Sequence, residues 1–359
     1  MHEFYCGTRI VSGPGALEAL KTLGAKRLLL VADPFFVKNG RAQEIAQSVG
    51  GETFTIFHEI APDPTVTLAA AGAARVREFQ PDLILALGGG SVMDCAKAMA
   101  FFGGGCRLVA IPTTSGSGSE VTDFAVLTHE GSKYPLVDPR LQPEMAILDS
   151  SLLTDLPPAL IADCGFDVLA HCLEAWVSTD ADAITDALAR DAFTTVFSSL
   201  SASFAGDLTP RPQIHMASTM AAMAFNRAGL GLCHSLAHAL GARFHIPHGR
   251  LGAILLPAVV DWNASAAGEK YAALARWAGF SGSAQTVGVR NLKNGLIRLR
   301  QALKLPATLA QAGADPREVR RMTDAILSDV LADPCSRTNP APIHEHCVAQ
   351  ILKGVTGHG

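Results

Sequence analysis

Two hydrophobic rhythms divide the chain. In its first part, apolar runs at Arg27 to Asp33, Thr53 to Phe57, Asp82 to Leu87 and Arg107 to Ile111 alternate with stretches of helical spacing, Gly40 to Val49 and Thr65 to Phe79. The runs are continuously apolar rather than alternating, which predicts a parallel sheet buried on both faces by helices. Between Val121 and Asp138 the pattern becomes two strand-like segments around Glu130-Gly131-Ser132, a predicted β-hairpin, and one more strand is expected from Glu144 to Leu148. After Leu156-Pro157-Pro158 strand signals become scarce. Helical composition covers Phe166 to Val177, Ala181 to Leu200, Pro212 to Phe225, Leu232 to Ala242, Tyr271 to Ala278, Gly288 to Leu303, Pro316 to Asp329 and Ile343 to Lys353. The expected organisation is an α/β N-terminal domain with a mostly parallel sheet over 1–155, followed by an all-helical (all-α) C-terminal domain over 156–359.

Composition narrows the function classes. Of 359 residues, 48% are apolar and 17% charged, with a net charge of −4 and no polybasic run, so neither a disordered tail nor a nucleic-acid binder is expected. The N-terminus, Met1-His2-Glu3-Phe4-Tyr5-Cys6, carries acid where a signal peptide carries base. The most apolar stretch, Leu83 to Pro112, is interrupted by glycines, Asp94 and Lys97, short of the roughly 18 uninterrupted apolar residues of a membrane span, so no membrane association is expected. The cysteines never form a Cys-x-x-Cys pair and read as reduced thiols of a cytoplasmic protein. Histidine is the informative count: of 12, four fall between His234 and His248.

Gly88-Gly89-Gly90-Ser91-Val92-Met93-Asp94 follows one of the expected strands and opens a helix. Glycines there let backbone N–H groups and the positive helix end approach a phosphate, whereas the plainer alternative is a glycine turn with Ser91 as N-cap. Two neighbours favour the nucleotide. Asp33 ends the first clear strand, where a carboxylate binds a ribose diol and repels a 2′-phosphate, favouring NAD over NADP. The run Pro112-Thr113-Thr114-Ser115-Gly116-Ser117-Gly118-Ser119-Glu120 leaves another strand at the same expected edge. So little charge directly after a core strand suits a ligand loop better than a surface linker.

Asp167 and His171 are four apart, as are His234 and His238, so each pair shares a helix face, and His245 and His248 follow. A lone histidine on an apolar face is usually a hydrogen-bonded core residue; two such pairs beside a third cluster point to metal ligation. One carboxylate and three neutral imidazoles would leave a divalent ion with a net charge of about +1, a usable Lewis acid, and such donors suit Fe(II) or Zn(II).

Four motifs then converge. Gly-Gly-Gly-Ser-x-x-Asp-x-x-Lys at 88–97, Pro-Thr-Thr-x-Gly-x-Gly-Ser-Glu at 112–120, Asp-x-x-x-His at 167–171 and His-x-x-x-His-x-x-Gly-x-x-x-x-x-Pro-His-Gly at 234–249 resemble the iron-containing, or group III, alcohol dehydrogenases. The similarity spans essentially the whole chain. It implies a Rossmann-like N-terminal domain and a helical metal domain in a dehydroquinate synthase-like architecture. By this resemblance Asp167, His171, His234 and His248 hold a divalent metal, Fe(II) by family pattern with Zn(II) as the alternative, and His238 lies near the nicotinamide. Asp33, Gly89, Gly90, Ser91, Asp94, Thr113, Thr114 and Ser117 align with contacts to the nucleotide and pyrophosphate of NAD(H), and Lys133 with a lysine near the ribose. Phe124, Phe225 and Leu230 align with positions facing the substrate's carbon chain. His245 receives no role.

The implied reaction is hydride transfer between nicotinamide and a short aliphatic primary alcohol or its aldehyde, with the metal polarising the oxygen and His238 moving the proton. Asp33-Pro34-Phe35-Phe36-Val37 and Pro62-Asp63-Pro64-Thr65 most resemble the propanol dehydrogenases of diol and ethanolamine breakdown, although no N-terminal amphipathic helix for a microcompartment is evident. The competing readings are a superfamily reductase of the maleylacetate reductase or glycerol dehydrogenase type, and a dehydroquinate synthase-type lyase. The lyase normally carries glutamate in place of the metal-binding aspartate, and an acidic substrate would need a cationic pocket. A metal-dependent hydrolase leaves Asp33 and the 112–120 loop without a purpose, and a silent structural protein would be expected to lose a ligand. A homodimer or larger homo-oligomer is expected from the family and the apolar excess.

Overall fold

The computed structural model describes residues 3–129 and 132–357. Its contacts divide the chain into two compact units, Tyr5–Leu156 and the helical remainder from Pro157.

The first unit carries strands β1 (Arg9–Ser12), β2 (Arg27–Ala32), β3 (Thr53–Phe57), β4 (Leu83–Gly88), β5 (Arg107–Pro112), β6 (Phe124–His129), β7 (Ser132–Val137) and β8 (Met145–Leu148). Its helices are α1 (Pro34–Lys38), α2 (Arg41–Ser48), α3 (Val66–Phe79) and α4 (Gly90–Phe102). Six strands form a parallel sheet in the order β1-β8-β5-β4-β2-β3, while β6 and β7 pair antiparallel as the expected hairpin. Residues 130 and 131 of its predicted turn lie outside the described residues.

Alternate side chains explain the unbroken apolar runs. Leu28, Leu30, Leu83, Leu85 and Leu87 pack on one face with Ala42 and Ile45 of α2, and Leu29, Val31, Ile84 and Ala86 pack on the other with Val76 of α3 and Val92, Ala96 and Met99 of α4. Strand β1 was not foreseen: Arg-Ile-Val-Ser is too short to register as a run and gains its order from pairing with β8. The sheet register also sets the site. Gly88 pairs with Pro112, Asp33 N donates to Leu87 O at 2.9 Å, and Thr113 N donates to Gly88 O at 3.0 Å. The loops leaving β2, β4 and β5 therefore share one carboxyl edge.

The second unit contains α5 (Pro158–Val177), α6 (Ala183–Phe204), α7 (Arg211–Ala228), α8 (Leu232–Phe244), α9 (His248–Trp277), α10 (Gln285–Ala302), α11 (Pro316–Arg321), α12 (Thr323–Ala332) and α13 (Glu345–Thr356). The largest departure from the sequence pattern is α9, a single helix of 30 residues of which only Tyr271 to Ala278 was expected. Pro257 and several glycines break its signal. Proline removes the N–H that would bond the carbonyl four residues earlier, and Arg300 of α10 supplies a substitute, donating from Nη1 to Ala253 O at 3.3 Å. By length and composition α9 could cross a membrane, yet 67% of its apolar window is buried, and it packs on α5, α8 and α10 as a core helix. Where α9 begins, a Cβ on Gly249 would lie 1.9 Å from Asp163 O, so only glycine lets α9 approach α5 this closely. That approach brings His248 to the neighbourhood of Asp167.

Candidate active site

In the first unit the glycine loop ends at Gly89, the N-cap of α4, and no side chain caps that helix. The N–H groups of Val92 and Met93 turn back to Gly89 O, whereas those of the first helical residues have no partner within the helix. A loop folds close above them: a Cβ on Gly90 would stand 2.9 Å from Ser117 Cβ and Oγ, and one on Gly89 would stand 3.2 Å from Thr114 Oγ1. Gly89, Gly90, half-buried Ser91, Thr113, Thr114 and Ser117 are thus brought together, in a cradle that any larger side chain would fill. Open N–H groups at a helix N-terminus suit a pyrophosphate.

Asp33 stands at the same edge and has a structural task as well, since its Oδ1 accepts from Phe35 N at 2.8 Å as the N-cap of α1. Asp94 turns inward. It is 8% exposed and accepts from Val126 N at 3.0 Å, tying α4 to β6, and burial raises its pKa against the pull of Lys97. Lys97 is 1% exposed and donates to Thr122 O, Thr122 Oγ1 and Phe124 O at 2.8–2.9 Å. Burial pushes it down to about 8, with Asp94, Glu120 and Asp123 pulling the other way. Phe124, at the start of β6, is held by that bond. Lys133 on β7 pairs with Asp63 at 2.8 Å.

The second unit gathers the histidines. Asp167 and His171 lie on α5, His234 and His238 on α8, and His248 opens α9. Donor atoms of Asp167, His234 and His248 lie within 4.8 Å of one another. Asp167 Oδ1 is 3.6 Å from His248 Nε2 and 4.0 Å from His171 Nε2, so His171 stands at the margin of this trio. Its ring is stacked with His234 at 4.7 Å and with Phe225 at 4.3 Å between centroids. Two buried imidazole nitrogens, His171 Nδ1 and His234 Nε2, have no hydrogen-bond partner among the described residues. Leaving a buried polar atom unmet is costly, and a nitrogen- and oxygen-loving divalent ion at the trio would meet that need at His234 Nε2, whereas at His171 it is Nε2 that faces Asp167.

Electrostatics supports neutral imidazole at one position. Burial, then His234 and His238, push the His171 pKa well down, which suits a metal ligand because only the neutral ring has a lone pair to give. Burial also works against charge on His234, but the Glu174 carboxylate beside it outweighs this and raises its pKa. His238 is 25% exposed, and its Nδ1 lies 2.7 Å from Asp333 Oδ2. Burial would raise the Asp333 pKa, yet the bond and charge of His238 and the Cys335 N–H hold it at about 2. His238, Asp333 and Cys335 form a second group of donors within 4.8 Å, with Asp333 already bonded to both neighbours.

His245 is the exposed C-cap of α8 with φ 52, and it is not among the donors of the Asp167, His234 and His248 trio. Leu230 is 8% exposed and Phe225 4% exposed, and Leu230 O accepts from Thr338 Oγ1 at 2.6 Å. Sequence reasoning missed Glu174 and Asp333. Glu174 lies seven residues after Asp167 on the same helix face, and a carboxylate inside Leu173-Glu174-Ala175-Trp176-Val177 was a usable signal. Asp333 carried no such signal, because an aspartate before a proline reads as an ordinary cap.

Residues 7–150 match the profile described as iron-containing alcohol dehydrogenase, and residues 161–356 match that of the Fe-containing alcohol dehydrogenase family, C-terminal. The chain belongs to the iron-containing alcohol dehydrogenase family. Within it, the chain is 38% identical over 367 residues to the 1-propanol dehydrogenase PduQ of Salmonella typhimurium, covering 98% of this chain and 99% of that protein. It is 35% identical to an NADPH-dependent butanol dehydrogenase of Clostridium saccharobutylicum, covering 99% and 98% respectively. A solved structure of sulfoacetaldehyde reductase from Bifidobacterium kashiwanohense in complex with NAD+ superposes with a TM-score of 0.90 at 25% identity, covering all of both chains (100% and 100%). The chain is therefore an alcohol dehydrogenase of the iron-containing family, with its parallel-sheet and helical parts shared by solved relatives.

Proposed function

We propose that this enzyme interconverts a short aliphatic primary alcohol and its aldehyde, using NAD(H) and a divalent metal, Fe(II) by family membership with Zn(II) as the alternative. The observation that carries the reading is the trio Asp167, His234 and His248, in which the buried Nε2 of His234 has no hydrogen-bond partner among the described residues. Asp167, His171, His234 and His248 would hold the ion; when bound, it supplies a Lewis acid for the substrate oxygen. Gly89, Gly90, Ser91, Thr113, Thr114 and Ser117 would bind the pyrophosphate, with Asp33 and Lys133 on the ribose side; the nicotinamide supplies the hydride acceptor or donor.

The protein's own proton route starts at His238. If Nδ1 donates its hydrogen to Asp333, then Nε2 is the atom that takes the alcohol proton in oxidation and returns it in reduction. By the family resemblance Phe124, Phe225 and Leu230 would face the carbon chain, and none of them carries a charge, which supports an uncharged substrate over an acidic one. The cofactors named for two of the three relatives above differ, NADPH for the butanol dehydrogenase and NAD+ for the sulfoacetaldehyde reductase, so the preference for NAD rests on the Asp33 carboxylate opposing a 2′-phosphate. We further assign the enzyme to the reducing cytoplasm, on its free cysteines, and to a homodimer or larger assembly, on exposed apolar side chains such as Tyr134 and Val137.

The test is to follow NADH and NADPH absorbance with two- to six-carbon aldehydes after anaerobic loading with Fe(II) or Zn(II). NADH oxidation with propionaldehyde and its neighbours is expected. No turnover with either cofactor overturns the proposal, and equal rates with NADPH remove the role of Asp33.

A further inference from the structure

Glu174 is 3% exposed, and a buried carboxylate needs compensation from several donors. It has four. Gly231 N donates at 3.0 Å, Cys233 N at 2.5 Å and His234 N at 3.4 Å, and His234 Nδ1 lies 2.5 Å from Oε2. The first three belong to the N-terminus of α8, whose N-cap, Gly231, has no side chain of its own. A carboxylate from α5 therefore does the capping, where the positive end of the helix favours its charge. The fourth contact concerns the imidazole. A carboxylate can only accept, so Nδ1 carries the hydrogen and the lone pair of His234 is confined to Nε2, the buried atom with no partner among the described residues.

We propose that Glu174 is the positioning residue of the metal centre. It fixes the tautomer and the angle of His234, and it strengthens the donor by drawing on its Nδ1 hydrogen. This rests on the reading of Asp167, His234 and His248 as ligands. Gly231 belongs to the same device. Its φ of −156° is extended backbone that any residue adopts, so glycine is needed there for space: a Cβ would stand 2.8 Å from Asn339 Oδ1 and 2.9 Å from Glu174 Oε1. Asn339 Oδ1 in turn accepts from Leu232 N at 3.1 Å and Asn263 Nδ2 at 3.0 Å, so the carboxylate has no slack on that side.

The full-length apoprotein is titrated with Co(II), read by its visible absorption, with thermal unfolding of each apoprotein in parallel. Glu174→Gln keeps the volume but turns an amide NH2 towards N–H donors, and it is expected to weaken cobalt binding about 10- to 100-fold in a chain that still unfolds cooperatively. Gly231→Ala, which touches no ligand, is expected to weaken binding in the same direction by a smaller factor. A purely structural cap would lower the unfolding midpoint and leave cobalt affinity unchanged. A folded Glu174→Gln protein that binds cobalt as tightly as the parent overturns the inference; should that variant not fold, unchanged affinity in Gly231→Ala does so. A parent chain that takes up no cobalt, or whose uptake survives His234→Ala, instead overturns the ligand reading beneath it.

Discussion

The helices α4 and α8 begin alike and end up opposed in use. Each has a glycine N-cap, Gly89 or Gly231, without a capping side chain of its own, and each presents N–H groups that need an acceptor. At α4 those groups face a cradle roofed by Thr114 and Ser117. At α8 the protein fills the place itself with the Glu174 carboxylate and the Asn339 amide oxygen. The same helix end is filled by an internal anion in one unit, and in the other it is the end proposed to receive the cofactor's pyrophosphate. The proposed chemistry divides in the same way: at α4 the backbone would bind and side chains must be small, whereas at α8 the backbone is occupied and the proposed roles fall to the imidazoles of His234 and His238.

The largest expected effects separate those two imidazoles. His234→Ala removes a proposed ligand, so it should abolish stoichiometric metal and lower turnover about a thousandfold or more, the several kcal/mol that a Lewis acid contributes. His238→Ala should leave metal content at the parent level and lower turnover by about 100- to 10,000-fold, as for a proton-transfer group. Metal analysis beside steady-state rates decides. Full occupancy in His234→Ala would dissolve the proposed division of labour along α8.

The two units also differ in how much their sequences disclose. The glycine loop, Asp33 and the Thr-rich loop were legible because each directly follows a continuous apolar strand, and strand ends in a parallel sheet share an edge. The histidine cluster was legible in outline because four-residue spacing puts side chains on one helix face, and the structure brings donor atoms of Asp167, His234 and His248 within 4.8 Å of one another. What could not be read were long-range pairs. Nothing local links Glu174 with His234 or Asp333 with His238, and the stacking of Phe225 on His171 depends on how α5 and α7 pack. Helix α9 escaped because Pro257 is a breaker in any local reading. Only the Arg300 donor from α10 makes its carbonyl partner acceptable.

A smaller effect tests the open helix end. Gly90→Ala would put a Cβ 2.9 Å from Ser117 and displace the roof of the cradle. The Michaelis constant for NADH is expected to rise about tenfold, equivalent to about 1.4 kcal/mol of lost binding, with cobalt affinity unchanged. If Gly90→Ala left cofactor binding alone, the contrast between an open and a filled helix end would lose its first half.

The last effect is one of pH and contrasts the buried charges of the two units. Lys97, braced against β6, has its pKa pushed by burial from 10.5 down to about 8, so between these values the unfolded chain holds a proton that the folded chain has released. Stability from this group must therefore rise as pH increases through that window, by at most about 1.4 kcal/mol per pH unit. Asp333 in the helical unit runs the other way at the acid end: its pKa is lowered from 3.8 to about 2, so its contribution is present above 3.8 and is lost as pH falls towards 2. Denaturant unfolding of the parent and of Lys97→Met at pH 8 and pH 10 isolates the contribution of Lys97, since every other alkaline titration is common to both proteins. Lys97→Met will be less stable throughout, because Thr122 O and Phe124 O lose their donor, and that deficit should widen with pH as the parent alone gains. A constant deficit would mean that Lys97 keeps its proton in the folded state across the window, and that its three acceptors outweigh the burial that pushes its pKa down.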